Sequence, residues 1–260
     1  MSEREAIRKR VWEALRRVAA PDSRFHWDFT AFIPDFEGSA LCTQAICALP
    51  LYRAATTVLV TPDNNLLSLR AQCLLDQKTL LVPTYALARG FWQITRAEVP
   101  PGHELEAVTL DGLERFARPY AVEAAGAAGA VALLVTGASV INTEGVRLAS
   151  GLSYFDLEWL ILRTLGLVSA GAQVVAAVHD CQLVDWPSAP QPGGASADIV
   201  VTPTRLLPTG RRYPQPERIV WGELEWDVVQ AVPLLAALYE RAHAAPPAAP
   251  THAKENPHGS

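Results

Sequence analysis

The sequence predicts an α/β fold in three layers, a mostly parallel central sheet held between helices, and three observations carry that expectation. Five short runs rich in Val, Ile, Leu and Thr are apolar almost throughout, as strands covered on both faces are. Other stretches have the length and apolar spacing of covering helices. Strand and helix signals alternate along 260 residues with no internal repeat, and half of the residues are apolar, enough for a proper core.

From Glu3 to Ala20, Ile7, Val11, Leu15 and Val18 share one stripe of an amphipathic helix that Pro21 ends. At about 100° per residue, Arg4 and Arg8 flank that stripe, whereas Lys9, Arg10, Arg16 and Arg17 point away. On spacing alone, the flanking pair reads first as side chains snorkelling from the edge of a core helix. A polar and aromatic segment, Asp22 to Gly38, comes before the first strand, Thr56 to Thr61. A helix over Leu66 to Leu75 leads to the second strand, Thr79 to Pro83. The third strand is Ala130 to Thr136, and a helix from Tyr154 follows, with Gly166 as its stop. The last two strands are Gln173 to Val178 and Asp198 to Thr202. Between them, Trp186 to Ala197 (WPSAPQPGGASA) reads as an exposed Pro/Gly loop expected to carry no chemistry. A final helix over Trp221 to His243, begun or interrupted by Pro233, turns Leu234, Leu235 and Leu238 inward. One domain over 1–243 and a disordered tail over 244–260 are therefore expected.

Composition narrows the chemistry. Charged residues are 19% of the chain, the net charge is -5 and the pI is near 5.7, so no basic field for a nucleic acid or an anionic membrane is expected. The opening MSEREAIRKRVWEALRR is too charged for a signal peptide. The most apolar stretch, Ala121 to Val135, is mainly Ala and Gly around Glu123, which predicts no membrane span. Cys42, Cys47, Cys73 and Cys181 form no C-x-x-C pair, and three of the six histidines fall in the last eighteen residues. Zinc fingers and disulfide scaffolds are thereby excluded. A reduced, cytoplasmic protein remains, a monomer by default, working with carboxylates, arginines, glycines and backbone amides.

Three strand ends are candidates for that work. Gly137 to Leu157 (GASVINTEGVRLASGLSYFDL) joins a buried strand to a helix through small residues, the junction where backbone N–H groups meet anions. Arg147 could add charge there, and Asp156 could ligate a hydrated Mg²⁺. An ordinary strand-to-helix junction explains the same residues as well. The next strand ends in AAVHDCQLVD, with His179 and Asp180 at its tip; Asp180 suits a metal or orients a neighbour, His179 suits a loop histidine, and Cys181 a buried thiol. The last strand closes on Thr202, Thr204 and Arg205, which could meet a ligand or cap a turn.

Together these segments resemble the 5-formyltetrahydrofolate cyclo-ligase (methenyltetrahydrofolate synthetase) family. That family opens on a helix with Lys or Arg and then Arg four residues later, as Arg4 and Arg8 stand here. Its R-L-G-x-G-x-G-Y-Y-D-R loop is matched without a gap by RLASGLSYFDL, Arg147 to Leu157. HDCQLVD at 179–185 and IVVTP at 199–203 match its later H-D-x-Q-x-V and v-v-T-P strands. The likeness is closer to a divergent, cyclo-ligase-like branch, through FEGSAL at 36–41, KTLLVPT at 78–84, LSYFDLEW at 152–159 and VTPTRL at 201–206.

The resemblance implies a fold of the NagB/RpiA/CoA-transferase type and a ligase of one-carbon metabolism. With ATP and Mg²⁺ it would convert 5-formyltetrahydrofolate to 5,10-methenyltetrahydrofolate. It also implies that Arg4 and Arg8 hold ATP phosphates and that Arg147, Ala149, Ser150, Gly151, Leu152, Ser153, Tyr154 and Phe155 cradle the nucleotide. Residues 150–154 would border the folate, and Asp156 and Asp180 would ligate Mg²⁺. The chain departs from the family pattern where Ala149, Leu152 and Ser153 replace glycines, Phe155 replaces Tyr and Leu157 replaces Arg. Asp63, Asn64 and Asn65 stand where a folate-recognising Glu is expected. Those departures motivate two alternatives: an ATP-binding relative with a non-folate substrate, or a non-catalytic binding or regulatory protein on the same scaffold.

Overall fold

The computed structural model describes residues 2–122, 130–148, 151–210 and 212–244. Its centre is an eight-stranded sheet in the order β10-β9-β7-β5-β1-β2-β3-β4. The strands are β1 (Thr57–Val60), β2 (Thr79–Pro83), β3 (Phe91–Ile94), β4 (Arg118–Pro119), β5 (Val131–Thr136), β7 (Val168–Ala177), β9 (Ile199–Val201) and β10 (Leu206–Pro208). A two-stranded sheet pairs β6 (Ile141–Asn142) with β8 (Leu183–Val184). The helices are α1 (Glu3–Leu15), α2 (Ser39–Ala48), α3 (Pro50–Ala54), α4 (Leu67–Leu75), α5 (Glu104–Ala107), α6 (Leu110–Phe116), α7 (Tyr154–Thr164), α8 (Trp226–Ala231) and α9 (Pro233–His243).

The predicted strands form the parallel heart of the sheet, where β2, β1, β5, β7 and β9 all run in one direction. Successive residues point to opposite faces, so each strand feeds two cores. Leu59, Leu134, Val174 and Ala176 pack with α7, α8 and α9, whereas Val58, Val60, Leu133, Val135 and Val175 pack with α2, α3, α4 and α6. An unbroken apolar strand is the sequence consequence of a sheet covered on both sides. No helix among the described residues is long and apolar enough to cross a membrane.

Four expectations need correction. The first helix stops at Leu15, not Ala20, because Ala19 bridges Phe36 and draws the following residues into extended chain. The fourth strand begins at Val168, ahead of Gln173, after an irregular register between Val131 and Leu133. The final helix is two helices, α8 and α9, because Pro233 takes the first turn of α9, where a missing N–H costs nothing. Antiparallel β3, β4 and β10 extend both margins of the sheet beyond the parallel strands foreseen. The expected tail lies outside the described residues beyond 244.

The chain leaves β1 for β2 on one side and later returns to place β5 on the other. This reversal opens a crevice at the carboxyl ends of β1 and β5, where doubly wound sheets bind their ligands.

Candidate functional site

The crevice is built from the turns that follow β1 and β5. After β1, the chain turns through Thr61 to Asn65, and buried Arg70 of α4 holds that turn by donating to the carbonyls of Thr61 (2.7 Å) and Asp63 (2.9 Å). Its third bond goes to the Val108 carbonyl at 3.1 Å, and burial brings its pKa down to about 10. Asp63 accepts from Thr61 Oγ1 at 2.5 Å and from the Gly137 N–H at 2.7 Å, tying the two turns together. Burial nevertheless raises the Asp63 carboxyl above its ordinary range. Gly137 is required by close approach, since a Cβ there would stand 2.7 Å from Ile33 Cγ2 and 3.0 Å from Asp63 Oδ2. Asn65 donates to the Ala177 carbonyl at 2.9 Å, while its buried Oδ1 has no partner among the described residues.

Beside the crevice stands the loop leading into α7. Ser153 and Asp156 form a capping box: the Ser153 N–H and Oγ each donate to Asp156 Oδ2 at 2.7 Å. Asp156 Oδ1 accepts from Arg147 and, at 2.9 Å, from the Ala195 N–H. Both carboxylate oxygens are therefore engaged, and the expectation that Asp156 ligates metal meets a group already saturated by protein donors. Arg147 also donates to the Ala195 carbonyl at 3.0 Å and lies 4.4 Å over the Phe155 ring, with its side chain 9% exposed. Glu158, one turn into α7, is buried with Oε2 unpartnered among the described residues; burial, then the charge of Asp63, pushes its carboxyl well above the usual range. Sequence reasoning missed Glu158 and Arg70, although a second carboxylate two residues after Asp156 inside the otherwise apolar run YFDLEWLIL was a visible signal for Glu158.

Of the remaining predicted residues, Ala149 and Ser150 lie outside the described residues. Gly151 has a φ of +145°, where a side chain is disfavoured. Tyr154 is exposed, whereas Leu152 packs against the core that α7 shares with the sheet.

Helix α1 completes this side. Its Ile7 and Val11 pack on Val140 and Leu148, with Trp186 alongside, so α1 docks beside Arg147. Arg4 and Arg8 are half-buried at the margin of that contact, whereas Lys9, Arg10, Arg16 and Arg17 are exposed, as the helical spacing predicts. Neither Arg4 nor Arg8 has a carboxylate within ion-pair distance among the described residues, and the buried Nε of Arg8 has no partner. Arg4 donates to Ser188 Oγ at 3.3 Å and sits 5.6 Å over the Trp186 ring.

Asp180 lies in the 3-10 turn after β7. Its Oδ1 accepts from Thr202 Oγ1 (2.7 Å), Thr204 Oγ1 (2.6 Å) and Arg205 Nε (3.3 Å). Burial pushes its carboxyl up, but the bonds from Thr204, Thr202 and Arg205 outweigh it and hold the pKa below the ordinary value. Thr202, Thr204 and Arg205 thus form a turn closed on Asp180. His179 caps the same turn, accepting from the Cys181 N–H at 3.2 Å, and burial raises the Cys181 thiol. No group of three or more His, Cys, Asp or Glu among the described residues is arranged to hold a metal. A magnesium ion that arrives with phosphates and keeps its waters needs only one or two carboxylates, and Asp180, with one oxygen uncommitted, fits that limited role.

At the end of β2, Phe25, Thr84, Tyr85, Arg89 and Trp92 line a cavity of about 250 Å³. Phe25 stacks on Tyr85 at 5.6 Å and on Phe32 at 5.7 Å, and the Tyr85–Leu87 turn packs against α7, so this aromatic pocket adjoins the crevice.

Known proteins have sequences related to this one. The murine methenyltetrahydrofolate synthase domain-containing protein is 31% identical over 243 residues, covering 92% of this chain and 63% of its own length. The human protein of that name is 31% identical over 243 residues, with 92% and 62% covered. The chain thus spans about three fifths of the length of these relatives. The NMR structure of Aquifex aeolicus 5,10-methenyltetrahydrofolate synthetase matches 86% of this chain and all of its own at a TM-score of 0.49 and 14% identity, too loose a likeness to carry function. The model of the 5-formyltetrahydrofolate cyclo-ligase family matches residues 1–203, more than three quarters of the sequence, and the chain belongs to that family.

Proposed function

We propose that the protein is an ATP- and Mg²⁺-dependent cyclo-ligase that closes 5-formyltetrahydrofolate to 5,10-methenyltetrahydrofolate. The observation that carries this reading is the pair Arg4 and Arg8: two cations one turn apart, without carboxylate partners among the described residues, docked beside the small-residue loop of a cyclo-ligase family member. Phosphoryl transfer asks little covalent chemistry of a protein and much positioning and charge compensation. Arg4 and Arg8 would bind the phosphates, and the residues around Gly151 would admit them close to the backbone. Arg147 is held by Asp156 and by the Ala195 carbonyl, so its part is to fix the loop that the phosphates meet. Asp180 would hold the metal, which when bound neutralises charge on the transferred phosphoryl group. The aromatic pocket of Phe25, Tyr85 and Trp92 has the flat walls that a folate ring system requires. Four free thiols suit a reducing cytoplasmic setting.

A second reading has its own observation. The turn after β1 offers the buried amide Asn65, with Oδ1 unpartnered among the described residues, and an Asp63 already committed to Thr61 and Gly137. A single amide oxygen lacks the charge and the second oxygen with which a carboxylate grips a two-donor edge, which favours an ATP-using relative with a different substrate. Mixing the protein with ATP, Mg²⁺ and 5-formyltetrahydrofolate and following absorbance of the methenyl product tests both. Product above an enzyme-free control supports the cyclo-ligase. Folded protein that is stabilised by ATP with Mg²⁺ but makes no product and ignores folates supports the second reading.

A further inference from the structure

The Pro/Gly loop Trp186–Ala197 is not an idle connection. It is fastened at three points, each to residues of the candidate site. At its start, the Trp186 ring lies under the Arg4 guanidinium, Ser188 Oγ accepts from Arg4, and Asn142 Nδ2 holds the Trp186 carbonyl at 3.0 Å. Midway, Gly193 lies beside Leu152 and Leu160, where a Cβ would be in ordinary contact with both, 3.4 Å from Leu152 Cδ1. At its end, Ala195 gives its N–H to Asp156 and its carbonyl to Arg147. One strap thus joins Arg4 of α1 to Arg147 and Asp156 on either side of the loop ahead of α7.

The contacts on Arg4 differ in kind from those on Arg147. A ring beneath the guanidinium fixes its plane, and one long bond to a hydroxyl leaves most of its N–H donors open. Its charge is uncompensated by any described carboxylate. A cation held in place but not neutralised is preorganised for an anion, because less side-chain freedom is lost when the anion arrives.

We propose that Trp186 and Ser188 are positioning residues for Arg4, holding its guanidinium ready for a polyphosphate. The proposal rests on the reading of this site as a polyphosphate site. The test is calorimetric titration of the full chain with tripolyphosphate and with ATP, each with Mg²⁺ at low ionic strength. Trp186→Ala is expected to weaken both ligands about tenfold, as loss of a preorganised charge-assisted contact does. Trp186→Phe, which keeps a ring under the guanidinium, should bind within about twofold of the parent chain. In an Arg4→Ala background, Trp186→Ala should add nothing further, which a merely structural role for the tryptophan would not produce. If Trp186→Ala does not fold, Ser188→Ala removes only the hydroxyl and should weaken tripolyphosphate about two- to threefold. Affinity equal to or tighter than that of the parent chain in a folded Trp186→Ala protein overturns the proposal and leaves the polyphosphate site standing. No binding of either ligand by the parent chain overturns the polyphosphate reading and this proposal with it.

Discussion

Two sets of arginines stand at the same corner of the sheet in opposite states. Arg147 is buried against Asp156, itself 7% exposed, with the Ala195 carbonyl and the Phe155 face completing its surroundings. Arg4 and Arg8, half-buried on α1, meet no described carboxylate. The first arrangement spends its charge inside the protein and fixes a loop; the second keeps its charge for something that is not part of the protein. Sequence matching alone assigns both sets to nucleotide, so the difference lies wholly in what surrounds them.

The largest effect should come from breaking the closed pair. Arg147→Ala leaves Asp156 buried without its cation and should cost about 3–5 kcal/mol in urea unfolding. Adding Asp156→Ala should restore part of that loss, since the stranded charge goes with it. A cost under about 1 kcal/mol would mean that the pair does not hold the loop, and the contrast with Arg4 would collapse.

Gly137→Ala comes next. The added methyl would meet Ile33 Cγ2 at 2.7 Å and crowd both Asp63 and Asn65, so about 1–3 kcal/mol should be lost. Because this crowding falls in the crevice and not at α1, thermal protection by a folate should suffer before protection by ATP with Mg²⁺. Equal loss of both would place the two ligands on one surface and erase the division between crevice and α1.

Arg8→Ala should do the reverse. Its stability cost should stay within about 1 kcal/mol, as for a half-buried side chain without an ion pair, while tripolyphosphate affinity falls about tenfold. A large stability loss with unchanged affinity would return Arg8 to the snorkelling role that spacing alone suggests.

Much of this layout was legible in the residues, for identifiable reasons. β1, β2, β5 and β9 announce themselves because strands covered on both faces are apolar at nearly every position. β3, β4 and β10 do not, because they are short marginal strands whose pairing depends on neighbours far along the chain. α2 was hidden because only Cys42 and Ile46 are buried in SALCTQAICA, too few to set a period. At the site, arginines four apart on a helix could be read from spacing. The role of Trp186–Ala197 could not, since Pro and Gly report that a segment is irregular and say nothing of what it crosses. Leu152 is instructive in the same way: in place of a family glycine it reads as a fault in a phosphate loop, yet it packs beside Gly193 of the strap.

The smallest expected effect concerns an ion pair between the two extremes. Asp22 is buried while Arg24 is half-exposed, and Asn64 Nδ2 donates to the same carboxylate at 2.8 Å, joining the aromatic segment to the turn after β1. The bonds from Arg24, offset in part by burial and helped by Asn64, hold the Asp22 carboxyl far below its ordinary value. A carboxylate whose pKa is lowered on folding contributes stability that is fully present above its unfolded pKa, near 3.8, and is lost as pH falls through the folded value. Solvent around Arg24 screens the pair, so Asp22→Asn should cost no more than about 1 kcal/mol at pH 7. The gap between mutant and parent should narrow as pH falls below about 4, because the unfolded parent then protonates Asp22 while the folded parent still holds it ionised. Thermal unfolding of both proteins at pH 7 and near pH 3 measures it. A gap that stays constant would mean that Asp22 acts through shape and not charge, leaving Arg147–Asp156 as the closed pair whose charge matters at this edge of the sheet.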